Sequence, residues 1–315
     1  MMIEATHLTK RYGTANALFD ANFTIEKGEI VGFLGPNGAG KSTTMNLLCG
    51  YLTPSWGQVR IAGADMAEKP LEAKRHIGYL PEVPPLYMDM TVAEQLEFAC
   101  ELRGLRIKKS LLRAYIDNLC ARTQVSDTRD RLIRNLSKGY RQRVAVTQLL
   151  VGDPEILILD EPTVGLDPRQ IREFRDLLSD LSREHTIILS SHILSEISSI
   201  CGRILVFYEG MLIADGHPQQ LQEQLSKCRV LEVEIRGDAE GVVTLLRNLP
   251  DVLTVKEQGS GIYQVSHRVS TDIRSALYRT LRTTDYDLMM MKPEEISLES
   301  LYLRITENEQ ETTQL

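Results

Sequence analysis

The sequence lacks several things, and each absence narrows its chemistry. No run approaches the roughly 18 apolar residues that a membrane-spanning helix requires, so the chain is not expected to cross a bilayer by itself. The N-terminal MMIEATHLTKRYG has none of the apolar core of a signal peptide. Basic charge is in deficit: 36 Lys and Arg stand against 43 Asp and Glu, a net charge of -7. Nucleic-acid binders show a basic footprint, so no nucleic-acid partner is expected, although a local basic patch stays open. Cysteines (Cys49, Cys100, Cys120, Cys201, Cys228) are odd in number and scattered, with no CxxC pair. They read as reduced thiols of a cytosolic protein, mostly buried as small hydrophobes and without a redox role. His7, His76, His185, His217 and His267 show no metal-ligand spacing, so no structural metal is expected. There is no internal repeat, low-complexity segment or sustained heptad run.

What is present is globular composition, 43% hydrophobic and 25% charged, over 315 residues. That length is comfortable for two domains. Glu29–Leu34 (EIVGFL), Glu155–Leu159 (EILIL), Thr186–Leu189 (TIIL) and Ile204–Tyr208 (ILVFY) are short apolar runs. Such runs suit strands buried on both faces, as in an α/β sheet. Val92, Leu96, Ala99 and Leu102, then Leu111, Leu112, Tyr115 and Leu119, hold helical spacing and predict a helical insertion over about 88–150. The rhythm changes near residue 217. A polar connecting helix is expected over 217–227. Beyond it, over 228–305, the order strand, helix, strand, strand, helix, strand is the βαββαβ of the ferredoxin-like split-βαβ motif. This second domain is α+β and contains no phosphate motif. Ser297–Ile305 reads as a closing helix, and 306–315 (TENEQETTQL) as a disordered tail.

Between strand Glu29–Leu34 and a helical stretch lies Gly35-Pro36-Asn37-Gly38-Ala39-Gly40-Lys41-Ser42-Thr43. It fits GxxxxGK[ST], the P-loop. Glycines let the backbone curl and point N–H groups at phosphate oxygens. Lys41 would reach the β- and γ-phosphates, Ser42 would coordinate Mg²⁺, and the helix dipole adds to the same spot. Ile156–Leu159 ends in Asp160-Glu161-Pro162. An apolar strand delivering a carboxylate at its end suits a Mg²⁺-nucleotide site. Asp160 would hold Mg²⁺ or its water, and Glu161 would act as general base. Alone, that run could equally be a polar strand end; the P-loop decides between the two. Leu136-Ser137-Lys138-Gly139-Tyr140-Arg141-Gln142-Arg143 offers an N-cap hydroxyl and open N–H groups, an anion site. Read alone, it is as well an ordinary basic helix start.

Taken together, residues 3–216 resemble the ATP-binding domain of ABC transporters. LSKGYRQR (136–143) resembles the signature LSGGQxQR, Gly35–Thr43 matches Walker A, and Ile156–Pro162 matches Walker B. Gly165-Leu166-Asp167 matches the D-loop, and His192 the switch histidine. The resemblance implies that Tyr12 stacks on adenine, although an aromatic there is most simply a packing residue. It implies a catalytic set of Glu161, His192 and Lys41. It also implies that two such domains, as a homodimer or heterodimer, face head to tail, so that Ser137 and Gly139 of one touch the ATP on the other's P-loop, with Asp167 nearby. ATP and Mg²⁺ are the implied ligands. Glu82, in Ile77-Gly78-Tyr79-Leu80-Pro81-Glu82, stands where the family has the Q-loop glutamine and would still ligate Mg²⁺; a solvent-exposed glutamate is the plainer alternative. Lys138 and Tyr140 stand where Gly and Gln are usual.

Ile77–Leu96 and Ser297–Tyr302 resemble the ABC-2-type exporter branch, with gliding-motility and multidrug-type ATPases as nearest likenesses. That branch implies an ABC-2-type transmembrane permease partner, a cytoplasmic location on the inner face of the membrane, and a regulatory or dimer-supporting C-terminal domain. The alternative is a soluble ABC ATPase acting on ribosomes or DNA; an unrelated P-loop kinase or GTPase is the third reading. Arg103, Arg106, Lys108, Lys109 and Arg113 form either a solvated helix face or a contact to anionic lipid or the membrane partner. Met289–Met291 reads as a packed strand. Pro81, Pro84 and Pro85 stiffen a loop that could transmit motion to a partner or be only a turn.

Overall fold

Residues 1–221, 228–259, 261–268 and 272–294 are described in the computed structural model. The chain divides into two compact units, Met1–Pro218 and Gln219–Leu315. In the first, β3 (Ile30–Leu34), β6 (Ile77–Leu80), β7 (Ile156–Leu159), β8 (Thr186–Ser191), β9 (Arg203–Tyr208) and β10 (Met211–Gly216) form one sheet in the order β10-β9-β3-β8-β7-β6. All neighbours pair in parallel except β10, which turns back against β9. Every residue of β7 and β8 is buried. A strand covered on both faces can present functional groups only at its ends.

Against this sheet packs an antiparallel one that the apolar pattern did not reveal. Its strands are β1 (Ile3–Tyr12), β2 (Ala15–Ile25), β4 (Trp56–Ile61) and β5 (Ala64–Asp65), in the order β2-β1-β4-β5. Ile3, Leu8, Leu18, Phe23 and Ile25 share a core with Val31, Phe33 and Phe207 of the parallel sheet. Phe33 anchors it, edge-on to Phe23 at 5.7 Å and tilted on Phe207 at 5.0 Å between ring centroids.

The helices are α1 (Lys41–Leu48), α2 (Pro70–Arg75), α3 (Val92–Leu102), α4 (Lys109–Arg122), α5 (Lys138–Leu149), α6 (Pro168–Leu181) and α7 (Leu194–Ser198). The expected insertion contains α3, α4 and α5. Thr91 starts α3 with a complete capping box: its hydroxyl accepts from the Glu94 N–H, and its own N–H donates to the Glu94 carboxylate at 2.8 Å. Two of the positions at helical spacing face outward: Leu102 and Leu111 are 72% and 58% exposed. Leu102 is the last residue of α3, after which Gly104 turns the chain with φ +68°, and Leu111 lies in the first turn of α4.

The second unit contains β11 (Cys228–Arg236), α8 (Ala239–Arg247), β12 (Val252–Gly259), β13 (Ile262–Arg268), α9 (Ile273–Leu281) and β14 (Asp287–Glu294). Its sheet runs β12-β13-β11-β14 with antiparallel neighbours throughout, the ferredoxin-like arrangement. Leu231, Val233 and Ile235 on alternate positions of β11 bury against Val242 and Leu246 of α8 and Leu277 of α9. Met291 packs against this core, but Met289 is 50% exposed, so the methionine run is only partly packed. The connecting segment is helical at 218–221. Residues 222–227, the helix expected over 297–305 and the tail 306–315 lie outside the described residues.

Candidate functional site

Four parallel strands deliver their C-terminal ends to one place. β3 leads into the loop 35–40, which ends on α1. Gly40 caps that helix with φ +105°, and a β-carbon on it would stand 2.7 Å from the Ala17 carbonyl oxygen, so no other residue fits. The first N–H groups of α1 have no intrahelical acceptor, and they open toward the loop. Lys41 follows at once and is 5% exposed. Its ammonium donates to the Gly35 carbonyl at 2.7 Å and the Pro36 carbonyl at 3.1 Å, and it sits 3.4 Å from Glu161 Oε1.

From the end of β7, Asp160 and Glu161 enter side by side, both buried. Asp160 Oδ1 accepts from the Ser42 hydroxyl at 3.1 Å and from the Ser190 hydroxyl at 2.6 Å. Ser190 also accepts from the Glu161 backbone N–H at 2.7 Å. Sequence reasoning missed this serine, which joins the two acids; a Ser at a strand end carries no periodic signal. Glu161 has φ +46°, a conformation uncommon outside glycine. That turn brings its carboxylate to His192, whose Nδ1 lies 3.0 Å from Oε2. Glu161 Oε1 is buried and has no hydrogen-bond partner. The Lys41 ammonium at 3.4 Å is its charged neighbour, and a buried carboxylate on the cavity wall is placed to act as a base.

Asn37, Gly38, Ala39, Gly40, Lys41, Ser42, Thr43, Glu82, Glu161 and His192 line one cavity of about 300 Å³, joined by Ala17 and Val164. Asp160 stands behind Ser42 rather than on the wall. The donor set of hydroxyl and carboxylate oxygens from Ser42, Asp160 and Glu82 suits Mg²⁺, which prefers hard oxygen ligands. Asp160 also acts at a distance. Burial first, and its negative charge second, push the Cys49 thiol up, so this cysteine stays protonated. Cys49, Cys100, Cys120 and Cys201 are all buried and unpaired.

Six expected nucleotide residues are not in that wall: Tyr12, Gly35, Pro36, Ser137, Gly139 and Asp167. Ser137 and Gly139 line a separate cleft of about 430 Å³ with Leu166, Gln170 and Phe174. Ser137 caps α5, its hydroxyl accepting from the Tyr140 N–H at 3.4 Å. Asp167 caps α6, accepting from the N–H groups of Arg169 and Gln170 at 2.9 Å each. Tyr12, at the end of β1, is 51% exposed, with the Lys10 ammonium 5.3 Å from its ring centroid. It is not among the residues lining the Lys41 cavity.

With the geometry in place, comparison with known proteins gives consistent findings. A family model described as ABC transporter matches residues 18–164. The bacitracin transport ATP-binding protein BcrA of Bacillus licheniformis is 32% identical over 306 residues, covering 96% of this chain and 97% of its own. The Nod factor export ATP-binding protein I of Rhizobium meliloti (strain 1021) is 34% identical over 232 residues, 73% of this chain and 69% of its own. Among solved structures, cbiO1 from Clostridium perfringens, part of the ABC transporter complex cbiONQ, superposes with a TM-score of 0.65 at 28% identity, over 79% of this chain and 96% of its own. Similarity of this extent, on a chain that carries the P-loop and paired carboxylates in one cavity, establishes that the chain belongs to the ATP-binding subunits of ABC transporters, ATPases whose hydrolysis is coupled to transport.

Proposed function

We propose that this chain is the motor of an ABC-2-type exporter, working in the cytoplasm against the inner face of the membrane through a separate permease. Two copies, or this chain and a homologue, close head to tail over ATP. The observation that carries the two-chain reading is the separation of Ser137 and Gly139 from the Lys41 cavity. A capped helix start and a P-loop that open on different clefts cannot grip one phosphate within one chain. A second copy supplies the missing half.

In this reading the loop 35–43 cradles the phosphates, Lys41 neutralises charge at the β/γ bridge, and Tyr12 stacks on adenine. Ser42, Asp160 and Glu82 would hold Mg²⁺, which when bound screens charge on the phosphate oxygens. The Glu161 carboxylate takes a proton from water, the water oxygen bonds the γ-phosphorus, and the bridging bond breaks with its electron pair leaving on ADP. His192, 3.0 Å from the other carboxylate oxygen, keeps Glu161 aimed and senses whether the γ-phosphate is there. Ser137 and Gly139 of the opposite copy, with Asp167 beside them, complete the cage. Export as the direction is supported by the relative whose name records it. The ABC-2 branch is supported by the Ile77–Leu96 pattern and by the βαββαβ unit after the core.

Two measurements test this. Lys41→Ala is expected to lose ATPase by about 100-fold or more, as loss of a charge-stabilising group does, with the fold intact by circular dichroism. Affinity purification of the wild type from membranes is expected to bring a polytopic permease that stimulates turnover. Undiminished activity in Lys41→Ala contradicts the site assignment. Ribosomes or DNA in place of a permease contradicts the transport role.

A further inference from the structure

Lys138 breaks the signature pattern, and the charge-stabilising and acid–base roles above leave it unused. It is the first residue of α5, directly after the exposed cap Ser137. Its side chain crosses to the loop that precedes α6: the Lys138 ammonium occupies the place that a β-carbon on Gly165 would take. Gly165 has φ +73° and no side chain, so it leaves the gap that the lysine fills. Two further contacts fasten the same pair of helices. The Gln170 side chain packs on Gly139, 2.9 Å from where a β-carbon would stand. Arg143 on α5 bonds Glu173 on α6 at 2.8 Å, with the arginine side chain 13% exposed.

The loop under Lys138 is short and leads straight to the candidate base. The Val164 N–H donates to the Glu161 carbonyl at 3.3 Å, and the Leu166 N–H to the Thr163 carbonyl at 3.1 Å. The Thr163 hydroxyl is held by Glu196 at 2.7 Å. Backbone bonds thus curl the short stretch between Gly165 and Glu161, four residues back.

We propose that Lys138 is a positioning residue: by bearing on Gly165 it couples Ser137, which faces the nucleotide of the opposite copy, to Glu161 at the nucleotide of its own. This rests on the two-chain reading above. Engagement of the signature by one ATP would then set the base for the other.

The test uses full-length variants and steady-state ATPase kinetics. Lys138→Ala keeps a good helix former at this position. It is expected to lower kcat about tenfold, within what a small misplacement of a catalytic group costs. KM should not change, because the loop 35–43 is untouched. Lys138→Arg, which retains a long cationic side chain, is expected to recover most of kcat. Glu161→Gln and Glu161→Gln/Lys138→Ala should both pair in ATP. Wild-type kcat in Lys138→Ala overturns the proposal. A raised KM at unchanged kcat also overturns it, because Lys138 then contacts nucleotide. Equal slowing in Lys138→Ala and Lys138→Arg overturns it too. If Glu161→Gln itself stays single in ATP, the two-chain reading falls instead.

Discussion

Glu161 shows how much one residue in this site depends on its surroundings. Its carboxylate is buried, held at 3.4 Å by Lys41 and at 3.0 Å by His192, and its backbone is anchored by Ser190. A buried charge is tolerable only when paired and hydrogen-bonded, and this one is paired on both sides while one oxygen stays without a hydrogen bond. Glu82 is its opposite: an exposed carboxylate on the same cavity wall. If Glu82 is a Mg²⁺ ligand, Glu82→Gln retains an oxygen at similar reach and most hydrolysis. Glu82→Ala removes the oxygen and raises the Mg²⁺ requirement. A Mg²⁺ titration of ATPase separates the cases; three overlapping curves reduce Glu82 to surface. Lys41, Asp160 and Glu161 could be singled out in the sequence because a P-loop follows β3 and the apolar β7 ends on two acids. The left-handed backbone of Glu161 and the bridging role of Ser190 could not, since both depend on β7 and β8 lying side by side.

At the scale of the element, legibility followed burial. β3, β7 and β9 are largely apolar and were found within one residue of their ends; β8 was read as Thr186–Leu189, two residues short, because its polar Ser190 and Ser191 carry no apolar signal. β1 and β2 went unseen for a physical reason. Their register shifts between Ala5 and Leu8, between Leu8 and Lys10, and between Lys10 and Arg11. Each irregularity breaks the period-two alternation by which a half-buried strand is recognised. The buried positions of β1 are accordingly uneven along the strand. α3 starts on a capping box of Thr91 and Glu94, which the apolar spacing from Val92 did not single out, and it yields its own prediction. Thr91→Ala removes the cap and is expected to cost about 1 kcal/mol of stability, read as a lower denaturation midpoint with ATP binding unchanged. The backbone N–H of Thr91, and then its hydroxyl, hold the Glu94 carboxyl below its ordinary value. The sign follows: the contribution of this pair is complete above the ordinary carboxylate pKa and is lost as pH falls through the lowered one. An identical midpoint for Thr91→Ala at neutral pH contradicts a working cap.

At the scale of the whole molecule there are two compact units, and each has a core of its own. Among the described residues, those lining the candidate nucleotide cavity all belong to Met1–Pro218. We expect the second unit to act as a regulatory or dimer-supporting domain. Chain truncated after Leu221 is therefore expected to fold and bind ATP, measured by fluorescent-nucleotide titration, with any loss appearing in pairing or in stimulation by the permease. A soluble, folded truncation that binds no nucleotide contradicts this separation. Sequence order disclosed the βαββαβ unit, because Leu231, Val233 and Ile235 alternate cleanly and α8 and α9 are amphipathic. The need for a partner was legible only through the family resemblance; the geometry adds that Ser137 and Lys41 open on different clefts. The most direct test of the account is therefore the mass of Glu161→Gln by multi-angle light scattering, with and without Mg-ATP. That variant keeps the shape of the base while removing its proton affinity and its negative charge. The account predicts a monomer without nucleotide and a stable dimer in Mg-ATP; a chain that binds ATP yet stays monomeric contradicts it.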